Sequence, residues 1–179
     1  KKVEEAKKEV KEMIRRHRER NKEVEKEVKD LARKHEKENR DVAETSKRLA
    51  EKVKKLRDDG VDRKDVRRVL EDWRRRSKEL LDRSRKSLEE IRKRVEDLVR
   101  ESKESLKRIE DRVRELEERG VIDEEIVKDI KREIEELEDE SRRILEEIRE
   151  DIDRLRRRSE KLFEDSRELI ERMKREVDR

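Results

Sequence analysis

The 179-residue sequence contains no proline, no cysteine and no tyrosine, and it has only two glycines, one tryptophan and one phenylalanine. Each shortage excludes something. Without cysteine there is no disulfide framework, no thiolate metal site and no thiol nucleophile, so the fold needs no particular redox compartment. No apolar run approaches the ~18 residues of a membrane span. A Gly-rich phosphate loop and a G-x-S-x-G elbow are both missing. The sequence shows no signal peptide and no initiator methionine. It is therefore expected to begin inside something larger.

What is present is charge. Asp, Glu, Lys and Arg make up 64% of the residues and hydrophobic residues 27%. Such a composition alone would suggest disorder. Two facts argue otherwise: 59 basic residues face 55 acidic ones for a net charge of +4, and the few apolar residues are strictly periodic. Glu, Lys, Arg and Leu are strong helix formers, and their dominance without proline signals long helices or coiled coils. The pI near 9.2 reflects a small basic excess and is weak support for a nucleic-acid partner. The basic triplets Arg74–Arg76 and Arg156–Arg158 read as solvated faces, because acidic residues interleave elsewhere and aromatic side chains for base stacking are lacking.

Length alone allows one domain or two. Gly60 and Gly120, the sole breakers, divide the chain into equal segments (1–59, 61–119 and 121–179). In RDDGVDRKDV, Gly60 reads as the left-handed residue that ends a helix, with Val61 after it as in a Schellman motif. Asp62 then caps the next helix, with Asp65 three residues on and a Val61 to Val66 staple. ERGVIDEEIV repeats the plan with Gly120, Asp123 as cap, Glu124 and Glu125 at the positive helix end, and an Ile122 to Val127 staple. Loops this short make consecutive helices antiparallel neighbours. The expected fold is all-α: an antiparallel, up-down-up three-helix bundle forming one domain over 1–179, with helices near 2–58, 62–118 and 123–178. Each helix would be ~85 Å long at ~1.5 Å per residue.

The apolar stripe has its own period. In the second helix the inward row includes Val66, Leu70, Trp73, Ser77, Leu80, Ser84, Leu88, Ile91, Val95, Leu98, Ser102, Leu106, Ile109, Val113 and Leu116. Trp73, Ile91 and Ile109 recur at 18-residue steps, as do Ile134, Ile152 and Ile170 in the third helix. Eighteen residues in five turns lies between the heptad and eleven-residue repeats, so nearly straight helices are expected.

The inward row of the first helix carries His17, Asn21, His35 and Asn39, and these are the chain's only histidines. Each H-x-x-x-N places His and Asn one turn apart on one face. Antiparallel pairing puts residue i of the first helix level with about 119 minus i on the second and i plus 124 on the third. His17 then meets Ser102 and Ser141, and His35 meets Ser84 and Ser159. Ser87 and Ser105 flank these levels within reach of the asparagines. A third polar level joins Ser77 and Ser166, and Trp73 falls level with Ser46, which can accept the indole N–H. Unpaired, these groups are costly to bury; matched, they form closed networks that fix register and pairing. The bland alternatives are that some serines line the rim or bond back to their own helix.

These residues point away from chemistry. Nucleophilic catalysis needs a base, an orienting group and an oxyanion hole, and helical serines have no free backbone N–H groups to offer. Zinc takes three or four ligands, whereas each level has one histidine and no inward carboxylate. No catalytic residue, metal site or cofactor is expected, and neither nucleic acid nor membrane is expected as a partner. Equal segments, the DDGVD and RGVID loops, the 18-residue stripe, the Glu/Lys/Arg surface and the two His/Asn levels together make the whole chain resemble de novo designed, parametrically built helical bundles with buried hydrogen-bond networks. That resemblance implies a structural scaffold without natural activity or natural compartment, monomeric, and soluble on recombinant expression in the cytoplasm. Some members of that family use buried histidines as pH sensors, which implies a pH-responsive alternative carried by His17 and His35. A building block for designed assembly is the other alternative.

Overall fold

The computed structural model describes residues 1–179 and holds three α-helices and no strand. We label them α1 (Lys2–Asp58), α2 (Arg63–Glu118) and α3 (Glu124–Asp178). α2 and α3 start one residue later than expected because Asp62 and Asp123 serve as caps outside the helices. Acidic residues occupy the first turn of every helix (Glu4 and Glu5, Asp65, Glu124 and Glu125). There they face the positive end of the backbone dipole.

Both turns are built by the same hydrogen bonds. The Gly60 N–H donates to the Arg57 carbonyl at 3.1 Å and the Val61 N–H to the Leu56 carbonyl at 3.1 Å. Gly120 donates to Glu117 at 3.0 Å and Val121 to Leu116 at 3.0 Å. These paired contacts define a Schellman end, which satisfies carbonyls the helix leaves free. Both glycines have positive φ, 76° and 69°. The entering caps differ in detail: Asp62 Oδ1 accepts from the Lys64 N–H at 3.3 Å, whereas Asp123 Oδ1 accepts from the Ile126 N–H at 2.9 Å.

One expectation about the turns needs correction. Ile122 and Val127 are both buried in one apolar cluster, as a staple requires, but Val61 stays 36% exposed while Val66 is buried. The second turn carries an extra residue between glycine and cap, so Ile122 can turn inward. In the first turn Val61 alone fills that interval and no staple closes over Val66.

Two compact units make up the chain, and each holds a stretch of all three helices in the three-helix-bundle arrangement. The first comprises Lys1–Asp30 and Arg92–Glu150. Its apolar cluster gathers Val10 and Ile14 from α1, Ile109, Val113 and Leu116 from α2, and Val127, Ile130, Ile134 and Leu137 from α3. The second comprises Leu31–Ile91 and Asp151–Arg179. Its cluster holds Val53, Val66, Leu70, Trp73, Ile170 and Val177, with Leu49, Leu56 and Met173 packed against it. Apolar burial of this kind stabilises by roughly 25 cal/mol per Å².

Arg–carboxylate pairs rim each unit. In the first, Arg112 grips Glu9 through two nitrogens at 2.8 and 3.0 Å, and Arg94 grips Glu27 at 2.8 and 3.3 Å. In the second, Arg158 meets Glu36 at 2.9 Å and Arg67 meets Asp178 at 2.8 Å. Exposed pairs of this kind contribute ~0–1 kcal/mol each.

No atom lies within 4 Å of where a Cβ would stand on Gly120. Gly120→Ala therefore meets no steric obstacle, and its whole cost is the left-handed backbone. We expect a loss of about 1–2 kcal/mol, read as a lower urea midpoint at unchanged slope. An unchanged midpoint would mean the glycine conformation is not needed.

Candidate functional site: two buried histidine networks

His17 and His35 lie on the inward face of α1, in line with Ile14 and Leu31 one turn before them and Val24 and Val42 two turns after. His17 is 3% exposed and His35 1%. In the first unit, Asn21 Nδ2 donates to Ser141 Oγ at 2.8 Å. His17 Nε2 lies 3.4 Å from Ser141 Oγ and also 3.4 Å from Ser102 Oγ. His17 Nδ1 lies 2.9 Å from Ser105 Oγ.

The second unit repeats this scheme with shifted distances. Asn39 Nδ2 donates to Ser159 Oγ at 2.8 Å, His35 Nε2 lies 3.0 Å from Ser159 Oγ, and His35 Nδ1 lies 3.3 Å from Ser87 Oγ. In both networks the asparagine and its serine are 120 residues apart, and the histidine and that serine are 124 apart.

One tautomer gives the shared serine hydrogen an acceptor in both networks. The Ser141 hydroxyl accepts from Asn21 and keeps one hydrogen, which Nε2 of His17 can take only as an acceptor. In that tautomer Nδ1 carries the ring hydrogen and donates it to Ser105. The same order runs from Asn39 through Ser159 and His35 to Ser87. Protonating either ring puts a hydrogen on Nε2, so the serine must accept twice and its own hydrogen loses its acceptor. Burial depresses both imidazole pKa values below the usual histidine range. For His35 the nearby Glu38 and Glu36 charges oppose that shift in part.

Ser77, Ser84, Ser87, Ser105, Ser166 and Trp73 sit differently from expectation. Ser84 is buried but bonds to nothing, and Asn39 Oδ1 is likewise unpartnered. In the first network one nitrogen is shared at long range between two serines; in the second it moves close to Ser159 and leaves Ser84 out. Ser87 and Ser105 bond to the histidines and not to the asparagines. The level rule gives height along the helices, whereas rotation about them selects the partner. Ser166 pairs with Ser46, Oγ to Oγ at 3.1 Å, and Ser77 is only half-buried and takes no part. The Ser46–Ser166 separation is again 120 residues, the offset that the asparagines use. Trp73 is 2% exposed but makes no hydrogen bond to Ser46, whose hydroxyl is already engaged by Ser166.

One feature had no signal in the sequence. Burial, and then a hydrogen bond with the Glu110 carboxyl, push the Glu138 carboxyl upward. Both lie on the wall of a cleft in the first unit with Arg114 and Lys131. Two glutamates among 55 acidic residues carry no mark that would single them out. No group of three or more His, Asp or Glu side chains is gathered as metal ligands, and no helix is long and apolar enough to cross a membrane.

Three antiparallel helices with interlocking apolar faces place the chain in the class of three-helix bundles. No protein-family model matches the sequence, and no curated protein matches it. Among solved structures, the chain is similar to a computationally designed three-helix bundle, at 21% sequence identity and a TM-score of 0.51. The likeness covers 98% of this chain and 83% of the other.

The two networks generate a paired test. Ser159→Ala removes a hydroxyl that serves both Asn39 and His35, and we expect it to cost about 2–3 kcal/mol. Ser84→Ala removes a hydroxyl without a partner, and we expect it to stabilise by up to ~1 kcal/mol. Chemical denaturation of the two variants measures both. Equal losses would contradict the assigned bonding.

Proposed function

We propose that this chain is a de novo designed structural scaffold of residues 1–179, a single bundle and a monomer, without enzymatic activity. Its buried polar groups specify which helix faces meet and at what level. The observation that carries this reading is the duplication: the same Asn–Ser–His–Ser chain is built in each unit, with its asparagine bond at 2.8 Å in both. The designed origin of the similar bundle supports it. A histidine beside a serine hydroxyl invites comparison with a hydrolase, but all the serines involved lie inside helices. Their backbone N–H groups are used by the helices and cannot form an oxyanion hole.

The test is a variant in which His17, Asn21, Ser102, Ser105 and Ser141, with their counterparts in the second unit, become apolar residues of similar size. Helicity and thermal stability should hold or rise, since well-packed apolar groups replace polar ones. Uniqueness should suffer: broadened amide spectra, or spin-label distances reporting more than one helix register. If the variant keeps one sharp register, the networks do not specify pairing and the reading fails.

A second reading is a pH-responsive module. Its support is that both rings are buried as neutral groups in networks that a second ring proton disrupts. The sign follows from linkage. The folded pKa is depressed relative to the unfolded value near 6.5, so the unfolded chain binds protons first as pH falls. The contribution is fully present above about 6.5 and is lost below it, at most ~1.4 kcal/mol per pH unit per histidine, until the depressed folded pKa is reached. Against a stability of order 10 kcal/mol for a domain of this size, helical circular dichroism should persist at about pH 4.5 while the denaturation midpoint drops. His17→Leu with His35→Leu should flatten that drop. Complete acid unfolding abolished by these two substitutions would favour the switch over the scaffold.

A further inference from the structure

The first histidine network borders a cleft of about 250 Å³ that is walled by all three helices. Val24, Leu98, Ile144 and Leu145 give it apolar surface, and His17, Asn21, Ser102 and Ser105 give it polar atoms. Three charged residues also line it: Arg20 on α1, and Glu101 and Arg108 on α2. Its size suits a single ring with a small head group and falls below that of a drug-sized pocket.

Two groups at this cleft have capacity to spare. Ser102 is half-buried, and its hydroxyl has one contact, the 3.4 Å approach to His17 Nε2. Ser141 reaches the same nitrogen at 3.4 Å. That nitrogen has one lone pair and cannot accept two good hydrogen bonds. The Ser102 hydrogen is thus free for another acceptor. The charges are also unbalanced. Arg20 is engaged by Glu23 at 3.2 Å and Glu101 at 3.3 Å. Arg108 is exposed and forms no ion pair. Side chains on a helix lean toward its N-terminus, so Arg108 leans back toward Ser105, three residues before it, and it lines the cleft together with Ser102.

We propose that this cleft binds a small organic monocarboxylate, with its apolar body against Val24, Leu98 and Leu145 and its carboxylate held by the Ser102 hydroxyl and the Arg108 guanidinium. Free hydroxyl, unpaired cation and apolar wall together match such a ligand. A bare inorganic anion would leave the apolar wall unused, and a neutral apolar molecule would leave the cation unused.

The experiment is an NMR titration of the full chain at neutral pH with sodium benzoate, and in parallel with benzamide, which has the same shape without the charge. Benzoate should shift the His17 ring and the Ile144 and Leu145 methyl signals saturably and leave His35 unmoved. Benzamide should bind roughly fivefold more weakly, the scale of a partly screened charge-assisted contact. Arg108→Gln lies on the surface and does not threaten folding. It should bring benzoate down to the benzamide level and leave benzamide unchanged. Equal affinity for the two probes would overturn the proposal. So would shifts that never saturate and scatter over surface arginines and lysines, or no shift at His17.

Discussion

A buried hydrogen-bond donor without an acceptor is costly, and Ser84 is one hydroxyl left in that position, so a polar group inside this bundle constrains direction in a way that apolar contact does not. Apolar packing is proportional to area and nearly indifferent to direction. A bundle whose inward faces were all Val, Leu and Ile could slide a helix by a turn at modest cost. Asn21 and Asn39 cannot slide in that way without loss, because each amide nitrogen donates to one hydroxyl, at 2.8 Å in both networks. Moving α3 by a turn would strand an amide, a hydroxyl and an imidazole together. Polar groups at a few levels thus turn an adaptable apolar interface into one with a preferred register.

The charged surface complements this. With 64% of residues charged, long stretches of each helix are kept in water, and the inward stripe can be narrow. Bidentate grips such as Arg112 on Glu9 and Arg94 on Glu27 join neighbouring helices at the borders of the stripe.

Much of this was legible in the residues because single residue types carry unambiguous physical demands. Gly60 and Gly120 mark left-handed helix ends, and Asp62 and Asp123 mark helix starts, so the element boundaries followed within a residue. The level rule brought His17 to Ser102 and Ser141, and His35 to Ser159. It could not tell which way a side chain rotates. Hence Ser105 and Ser87 went to the histidines, Ser166 went to Ser46 in place of Ser77, and Ser84 was left without a partner. Azimuth depends on how α2 and α3 turn their faces, and a sequence period records that only to within a side chain's reach. The cleft beside His17 was equally hidden, since it arises from gaps between neighbours that no single residue announces.

Eighteen residues close five whole helical turns, so a position and its copy eighteen residues on face the same way. Ser46 and Ser166 stand at the address that Val28 and Ile148 hold one repeat earlier, and Val10 and Ile130 one repeat before that; all six are buried. The same address is thus filled by oily pairs in the first unit and by a hydroxylic pair in the second.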